Sequence, residues 1–518
     1  MKHEYKVKKI DLNAGGKPIV VMNNDDASNL AMSAMDRICI YSGSKKLTAL
    51  IDLSETYIPK GSIGTFSSVS KKLNISSGDK VMIEPIGNPD SVLYIRKKLE
   101  GRTLTKDEID AIILDVLENN LSDIEITAFI VAIYARGMNH DETVFLTKAI
   151  ADSGSKLDFG KKQVFSKHCI GGVPGNKTSM IVIPIVACAG LIIPKTSSRS
   201  ITSPAGTADA MEVLAPVSLN EKQIEKVVHK TNACLVWGGG VNLAAADDNM
   251  IKVRHPLHLD PRPLLLASIL GKKKAEGATH VLIDIPMGAG TKIFSRAEAE
   301  SLAKDFMEIG SALGIEVHCI ITPGYDPIGY AIGPALEARE VMRILEGEKV
   351  SEDLIDKSLV MAGLLLEIAG KAQAGSGKKM AKEILESGKA LQKMKDIIRE
   401  QGGSPHVTSR KIQVGQYTHD FISDDTGRVH LIRNHDISAV ARVAGAPKDR
   451  GAGIYMYVEK GDKVKKGQKI FTIYADCDYK LAAAVELANK INPIEMDKVV
   501  LEEFSAEVKP HVYDLKDL

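Results

Sequence analysis

The sequence has no excess of either charge and no long hydrophobic run. Its 518 residues contain 67 Lys and Arg against 66 Asp and Glu, so no overall field favours nucleic acid or an anionic membrane. The longest apolar stretch, about 15 residues broken by proline, is too short to span a bilayer. The N-terminal segment lacks the apolar core of a signal peptide. We therefore expect a cytoplasmic protein that binds neither membranes nor nucleic acid.

Cysteine is also scarce and unpatterned. The six cysteines are scattered along the chain without the paired spacing of zinc sites or disulfide frameworks. This usage fits a reducing compartment. We expect no metal site and no cofactor.

Glycine, cations and hydroxyls are concentrated in two turn-rich segments, Lys167–Ser179 and Lys195–Thr207, on either side of the apolar run Met180–Pro194. Two prolines in that run predict a buried strand or a short helix. Segments of this composition can direct backbone N–H groups and side chains at an oxyanion. They predict a phosphate site. The alternative is a glycine-rich turn packed under a helix, with Lys177 in solvent.

The first segment is not the phosphate loop of nucleotide hydrolases. That motif requires glycine directly before its lysine. Here Asn176 precedes Lys177. The sequence therefore excludes a P-loop.

Hydrophobic periodicity predicts a multidomain α/β protein. Residues 1–86 alternate short β-like runs with turns and predict a small β-barrel with one short helix near Ser28–Ala34. Residues 87–162 have helical periodicity, and Thr105 and Ser122 begin two capping boxes. Residues 163–415 predict a central α/β domain, some of whose helices could join the helical domain, and residues 416–518 predict a C-terminal α+β domain.

Within the central domain the alternation of elements predicts a mostly parallel sheet. The strand-like runs are Met180–Pro184, Ala233–Trp237, His280–Ile285 and Glu316–Ile321. The helical runs are Leu219–Lys230, Leu264–Ala275 and Arg296–Leu313. Ligands bind at the carboxyl ends of such strands, where we expect the loops Gly238–Asn242, Asp284–Lys292 and Thr322–Asp326. Lys292 follows a strand and two glycines, which favours a ligand role over a solvated surface lysine.

Two motifs make the sequence recognisable. They are Lys167-His168-Cys169-Ile170-Gly171-Gly172 and Ser197-Ser198-Arg199 followed by Gly206-Thr207-Ala208-Asp209 and Glu212. The chain thereby resembles the thymidine/pyrimidine-nucleoside phosphorylase family. Within it, the longer loop GGVPGNKTS, the SSRSITS motif and the extra N-terminal domain resemble the archaeal AMP phosphorylase branch. Cys169 stands where the family usually has serine, and Pro204 where a smaller residue is common.

The resemblance implies an architecture and an activity. It implies a double-psi barrel at the N-terminus, a helical domain that closes over the nucleotide and supplies a dimer interface, and a C-terminal barrel-sandwich-like domain. Val458–Ala475 resembles the repeat of biotinyl and lipoyl carriers, but without the lysine context of a swinging arm. The implied reaction converts AMP and phosphate to adenine and ribose 1,5-bisphosphate. CMP and UMP are implied as further substrates, and the assembly is a homodimer or larger homo-oligomer.

The same resemblance implies roles for individual residues. The orthophosphate set is Lys167, Ser179, Ser198 and Thr207. The set in contact with AMP is Gly172, Ser198, Arg199, Ser200, Ile201, Thr202, Ser203, Thr207, Ser268 and Lys292. Hydroxyls can donate to phosphate oxygens, and a lysine adds a point charge. Cys169 is a weaker donor and is not assigned to phosphate.

Asp260 is the implied proton donor to the departing base. From the residues alone, the favoured interpretation is the simpler one, that Asp260 caps a turn and pairs with an arginine; the resemblance favours the proton donor instead. A nucleotide also brings a dianionic 5′-phosphate, for which Arg254 and Lys272 are further candidate cations beside Arg199 and Lys292.

Two alternatives stay open at this point. A pyrimidine-nucleoside phosphorylase would use the same phosphate site on substrates without a 5′-phosphate. The other alternative is a non-catalytic nucleotide-binding adaptor, which both terminal domains suggest because they resemble binding modules. Such a protein would bind AMP without turnover.

Overall fold

The computed structural model describes residues 2–15, 17–160, 162–200 and 203–498. The chain forms two compact units. Of the described residues, those within 2–154 and 244–271 form the first unit, and those within 155–243 and 272–498 form the second. Among the described helices, none is long and apolar enough to cross a lipid bilayer.

The N-terminal part of the first unit is a closed six-stranded barrel in the order β1-β5-β2-β4-β3-β6. Pairs β1–β5 and β2–β4 are parallel, and the other described pairs are antiparallel. Its elements are β1 (His3–Ile10), β2 (Ile19–Asn23), α1 (Asn24–Asn29), β3 (Arg37–Ser42), β4 (Lys45–Ser54), β5 (Ser62–Phe66), α2 (Ser67–Leu73) and β6 (Lys80–Ile86). Alternate side chains of the strands are buried in one apolar core.

The prediction of a helix near Ser28–Ala34 is wrong in its position, because the helix there is α1, Asn24–Asn29. It begins at Asn24, because the Asn23 side chain accepts from the Asp25 N–H and caps it there, and it ends at Asn29. A second helix, α2, was not predicted.

The helical part of the first unit contains α3 (Ser91–Leu99), α4 (Lys106–Glu118), α5 (Asp123–Arg136) and α6 (His140–Asp152). The capping boxes predicted at Thr105 and Ser122 are both present, and Asn139 forms a third with Glu142. Residues 244–271 join the same core through Met250 and Leu264. The predicted central domain, residues 163–415, is therefore interrupted by a segment that packs with the helical residues.

The middle of the chain supplies the parallel strands. Its elements are β7 (Phe165–Cys169), α7 (Thr178–Cys188), β8 (Ile193–Ser197), α8 (Thr207–Met211), α9 (Glu221–Thr231), β9 (Ala233–Trp237), α10 (Gly238–Val241), α11 (Ala245–Arg254), α12 (Arg262–Ala275), β10 (His280–Met287), α13 (Arg296–Ala312) and β11 (Glu316–Pro323). In the second unit β11, β10 and β7 form one parallel sheet, and β8 pairs in parallel with β9.

Two predicted elements of this region are wrong. Met180–Pro184 was expected to be a strand but lies inside α7, a helix that is buried from Thr178 to Ala187. A run that is apolar on every side has no period that separates a buried helix from a buried strand. Gly238–Asn242 was expected to be a loop, yet its first four residues form α10, which ends at Asn242 in the left-handed conformation.

The remainder of the second unit adds a helical layer and two antiparallel sheets. Its elements are β12 (Ala331–Ile332), α14 (Pro334–Leu345), α15 (Glu352–Ile368), α16 (Gly377–Glu386), α17 (Lys389–Glu400), β13 (Tyr417–Ile422), β14 (Gly427–Ile432), α18 (Asn434–Val443), β15 (Gly453–Met456), β16 (Lys463–Val464), β17 (Lys469–Ala475), α19 (Asp478–Ile491) and β18 (Ile494–Lys498). The sheets have the orders β12-β15-β17-β13 and β16-β14-β18. Residues 499–518 of the predicted C-terminal domain lie outside the described residues.

Candidate active site

The first predicted phosphate segment contains the end of β7, the start of α7 and the loop between them. We call this loop, residues 170–177, loop A. Gly171 and Gly172 both have φ of +96°, a backbone conformation that favours glycine. A Cβ at Gly172 would lie 3.0 Å from Cα of Thr291 and 3.2 Å from the backbone nitrogen of Lys292. Glycine at 172 therefore allows a second loop, residues 288–292 (loop C), to approach the backbone of loop A.

Lys167 lies at the base of loop A and is almost completely buried. Its Nζ donates to Oγ1 of Thr178, the first residue of α7, at 2.7 Å. Burial lowers the pKa of Lys167 from its ordinary 10.5, and the nearby Asp284 carboxylate opposes that change. The lysine predicted to bind phosphate thus lies beside the N-terminus of α7, where Ser179 is the second residue.

The alternative interpretation of loop A, which expects Lys177 in solvent, is wrong because Lys177 is buried. It is fully buried and forms an ion pair with Glu340 at 2.6 Å. It also donates to the carbonyl oxygens of Ile328 and Ala331, at 3.2 and 2.8 Å. Lys177 therefore fixes the loop to the core of the second unit.

His168 and Cys169 follow Lys167 on β7, and both are half-buried. Burial lowers the pKa of His168 well below 6.5, so its ring is neutral near pH 7. Burial raises the pKa of the Cys169 thiol to about 11, and Sγ accepts from Nδ2 of Asn176 at 3.0 Å. Cys169 therefore stays a protonated thiol, and its exclusion from the phosphate set stays a prediction.

The second predicted segment forms loop B (the described residues 198–200 and 203–206), which links β8 to α8. Asp209 holds this loop by accepting from the backbone N–H groups of Ser200 and Gly206, at 2.7 and 2.9 Å. Gly206 permits close packing, because a Cβ there would lie 2.7 Å from the carbonyl oxygen of Ser198. The Ser203 hydroxyl donates to the carbonyl oxygen of Ala205 at 2.7 Å. Ile201 and Thr202, both assigned to AMP by resemblance, lie outside the described residues.

Arg199 is tied to its own loop. Its guanidinium pairs with Glu212 at 2.7 Å and Asp209 at 3.2 Å, and it lies 4.9 Å from the ring centroid of Trp237. The hydrogen bonds to Glu212 raise the pKa of Arg199 and lower that of Glu212. Its charge is therefore matched within the structure, and its contact with a nucleotide stays a prediction.

Loop C follows β10 and contains Lys292, the predicted ligand-binding lysine. Thr291 fixes the loop by donating from its hydroxyl to the carbonyl oxygens of Gly288 and Ile293, both at 2.8 Å. A Cβ at Gly171 would lie 3.9 Å from Cε of Lys292, so this side chain passes beside loop A. Loops A and C therefore lie against each other in the second unit.

The three loops meet at a pocket of about 120 Å³. Its lining residues are Gly172, Val173, Pro174, Ser203, Gly290, Asn434, His435 and Ser438. The first four belong to loops A and B, and Gly290 belongs to loop C. The last three come from the first turns of α18, which sequence reasoning did not connect with the site.

A buried network lies beneath the strands that carry loops A and B. Glu276 accepts from Ser166 at 3.0 Å and from Lys273 at 2.8 Å, and it also contacts the Thr196 hydroxyl. Lys195 is buried near this carboxylate, and burial lowers its pKa. Lys273 and Glu276 are three residues apart in the sequence, but the contacts of Glu276 with Ser166 and Thr196 have no signal there, because those partners come from separate strands.

In the first unit, residues 244–271 carry three of the remaining predicted side chains, Arg254, Asp260 and Ser268. Asp260 accepts from Nη1 of Arg254, and Ser268 donates to Oδ2 of Asp247 at 2.6 Å. The arginine contact of the simpler interpretation is thus present, and the role of Asp260 in proton transfer stays a prediction. Lys272, the other additional cation, is a residue of α12 next to Lys273.

Curated proteins similar to this chain cover almost its whole length. An AMP phosphorylase of Thermococcus kodakarensis is 48% identical over 94% of this chain and 97% of that protein. The AMP phosphorylase 1 of Archaeoglobus fulgidus is 44% identical over 94% of this chain and 96% of that protein. The chain belongs to the AMP phosphorylase family. These relatives do not favour either alternative, the nucleoside phosphorylase or the adaptor.

Domain models match three parts of this AMP phosphorylase family member. Residues 92–154 match the helical bundle domain of a glycosyl transferase family, and residues 161–391 match the α/β domain of that family. Residues 428–495 match the C-terminal domain of pyrimidine nucleoside phosphorylases. The expected helical, α/β and C-terminal parts are confirmed.

A solved structure shares the fold over part of the chain. Anthranilate phosphoribosyltransferase (TrpD) from Thermus thermophilus matches with a TM-score of 0.51 and 19% identity, over 60% of this chain and 99% of that one. The likeness shows a common fold.

Proposed function

We propose that this AMP phosphorylase family member catalyses the phosphorolysis of AMP to adenine and ribose 1,5-bisphosphate. The observation that carries the proposal is the near full-length identity to AMP phosphorylases. The meeting of loops A, B and C at one pocket supports it, because a reaction between two phosphorylated species needs several anion-binding loops near one another.

In this reaction an oxygen of orthophosphate bonds to the anomeric carbon of the ribose as the bond to the base breaks. The pair of electrons from the broken bond stays with adenine, which takes up one proton. The enzyme must therefore hold the phosphate near the anomeric carbon and supply a proton to the leaving base. No metal or redox cofactor has a part in this proposal, and orthophosphate is a co-substrate.

We assign orthophosphate to Lys167, Ser179, Ser198 and Thr207. The buried Lys167 ammonium contributes a charge that is only weakly screened by water, and the three hydroxyls can donate to phosphate oxygens. Ser179 and Thr207 also lie in the first turns of α7 and α8, where backbone N–H groups lack helical partners.

We assign proton donation to Asp260, with Arg254 as the side chain that orients its carboxyl group. Ser268 and Lys292 are assigned to the nucleotide. CMP and UMP are proposed as further substrates, and a homodimer or larger homo-oligomer is proposed as the assembly.

The experiment is base release from the purified protein. AMP and adenosine are each incubated with and without orthophosphate, and free adenine is quantified. The proposal expects adenine only when AMP and phosphate are both present. Phosphate-dependent release from adenosine at an equal rate would assign the chain to nucleosides, and no release from either substrate would reject an enzymatic role.

A further inference from the structure

The N-terminus of α18 in the C-terminal part of the second unit lines the pocket at which the loops meet. This helix has ten residues, and its N-cap residue, Arg433, provides no side-chain cap. The first N–H groups of an α-helix have no partner within the helix and carry a partial positive charge. They are therefore suited to an anionic group in the pocket.

Asn434, the first residue of α18, is an independent sign of a ligand. It is 3% exposed, and its Nδ2 donates to the carbonyl oxygen of Gly324 at 2.9 Å. Its Oδ1 is buried without a hydrogen-bond partner among the described residues. A buried amide oxygen left unpaired is costly, so this atom calls for a hydroxyl or N–H donor.

The opposite wall of the pocket identifies the class of ligand. Gly172 and Ser203 belong to the set that the family resemblance assigns to the nucleotide, and Gly290 belongs to the loop that carries Lys292. Of the described lining residues, none is in the orthophosphate set. A group bound here is therefore part of the nucleotide and distinct from the attacking phosphate.

We propose that the first turn of α18 binds the ribose-phosphate end of the nucleotide. The phosphoryl oxygens accept from the backbone N–H groups of this turn and from the Ser438 hydroxyl, and a ribose hydroxyl donates to Asn434 Oδ1. This inference rests on the proposed function, since AMP is the nucleotide concerned. It makes the C-terminal part of the chain a determinant of specificity for nucleotides over nucleosides.

His435→Asp is the variant that tests this. The His435 side chain is 91% exposed, and its Nδ1 lies 3.4 Å from Oδ1 of Asp436 in the same turn, so the change alters a surface contact and leaves the core intact. An acidic residue is favourable in the first turn of a helix. Its carboxylate would repel a phosphoryl group bound at the same turn. We expect KM for AMP to rise about tenfold, with kcat and KM for orthophosphate changed by less than about threefold. His430→Asp, at an exposed position on β14, is the matched control and should change neither KM.

Direct binding separates this inference from the reaction itself. Calorimetric titration with AMP and with adenosine needs no turnover, and His435→Asp should weaken AMP about tenfold while adenosine stays unchanged. Ser438→Ala should weaken AMP about threefold. Unchanged AMP binding in His435→Asp, or an equal loss for AMP, adenosine and orthophosphate, would overturn the inference even if wild-type protein releases adenine. Weakened AMP binding would support it even if the wild-type protein releases none.

Discussion

Lys177 and Arg199 are conspicuous cations of the two phosphate segments, and carboxylates of the same unit match both charges. Lys177 is paired with Glu340 in the core, and Arg199 is paired with Asp209 and Glu212. Asp209 and Glu212 belong to one of the two motifs by which the family is recognised, so the sequence alone marks them as candidate functional residues. Glu340 lies on α14, far from Lys177 along the sequence, and no local pattern connects the two residues.

Replacing Lys177 by Met should destabilise the second unit. The change leaves the Glu340 carboxylate buried without its cation, which costs about 3–5 kcal/mol. We expect the calorimetric transition of this unit to fall by roughly 5–10 °C. Lys222→Met, at an exposed position on α9, is the control and should shift it little. Adding Glu340→Gln to Lys177→Met should restore part of the loss, and a single variant as stable as the control would refute the role of the pair.

Asp260→Asn should lower kcat for AMP phosphorolysis by about 10²–10⁴-fold, because the amide cannot supply a proton to the leaving base. KM for orthophosphate should change little, since Asp260 is not in the phosphate set. Initial rates over both substrates measure the two parameters. A kcat within threefold of the wild type would contradict the role of Asp260 as the proton donor and would favour a structural role that includes its contact with Arg254.

The Cys169 thiol should be nearly inert to alkylation near neutral pH. Its pKa is raised to about 11, so only a small fraction is thiolate below that pH, and thiolate is the reactive form. At pH 8 we expect labelling with iodoacetamide roughly 100-fold slower in the native protein than in the unfolded chain. Peptide mapping by mass spectrometry reports this residue separately from the other five cysteines. Equal rates in the two states would contradict the raised pKa.

At the scale of elements, the site depends on close backbone contacts between loops A and C and within loop B. Gly172 lies against the backbone of loop C, and Gly206 lies against the backbone of Ser198–Ser200 in its own loop B. Both glycines belong to the sequence motifs. Only the structure shows whether a position requires glycine because a Cβ would clash with a neighbour or because the backbone has a positive φ.

Gly172→Ala and Gly190→Ala separate these two needs. Both glycines have positive φ, +96° and +86°, so alanine brings similar backbone strain of about 1 kcal/mol at each. Only at Gly172 would the new Cβ press on Thr291 and Lys292, whereas Gly190 has open space. We expect Gly172→Ala to raise KM for AMP at least tenfold and Gly190→Ala to leave it unchanged. Similar KM values in steady-state assays of both variants would contradict the close approach.

Elements with a clear pattern were predictable from the sequence. The strand Ala233–Trp237 has the predicted bounds, and the capping boxes at Thr105 and Ser122 mark the starts of α4 and α5. The strand predicted at Met180–Pro184 was wrong, because an uninterrupted apolar run shows neither a helical nor a strand period. The contribution of the first turns of α18 to the site was not predictable from the sequence. These turns lie far along the chain from loops A, B and C, and no local pattern connects them.

At the scale of the molecule, the succession of barrel, helices, α/β elements and C-terminal sheets follows from changes of period along the chain. The assignment of residues 244–271 to the first unit does not, because it depends on contacts of Met250 and Leu264 with distant helices. Family membership likewise rests on motifs and on near full-length identity, and the fold alone is shared with a phosphoribosyltransferase.

The measurement that most directly tests the account is the identity of the sugar product. AMP is incubated with the protein and ¹⁸O-labelled orthophosphate, and the products are resolved by ³¹P NMR and mass spectrometry. Phosphorolysis predicts a ribose with two phosphoryl groups, one of them carrying the label, in equal amount to adenine. Unlabelled ribose 5-phosphate in place of that bisphosphate would show hydrolysis and would contradict the account.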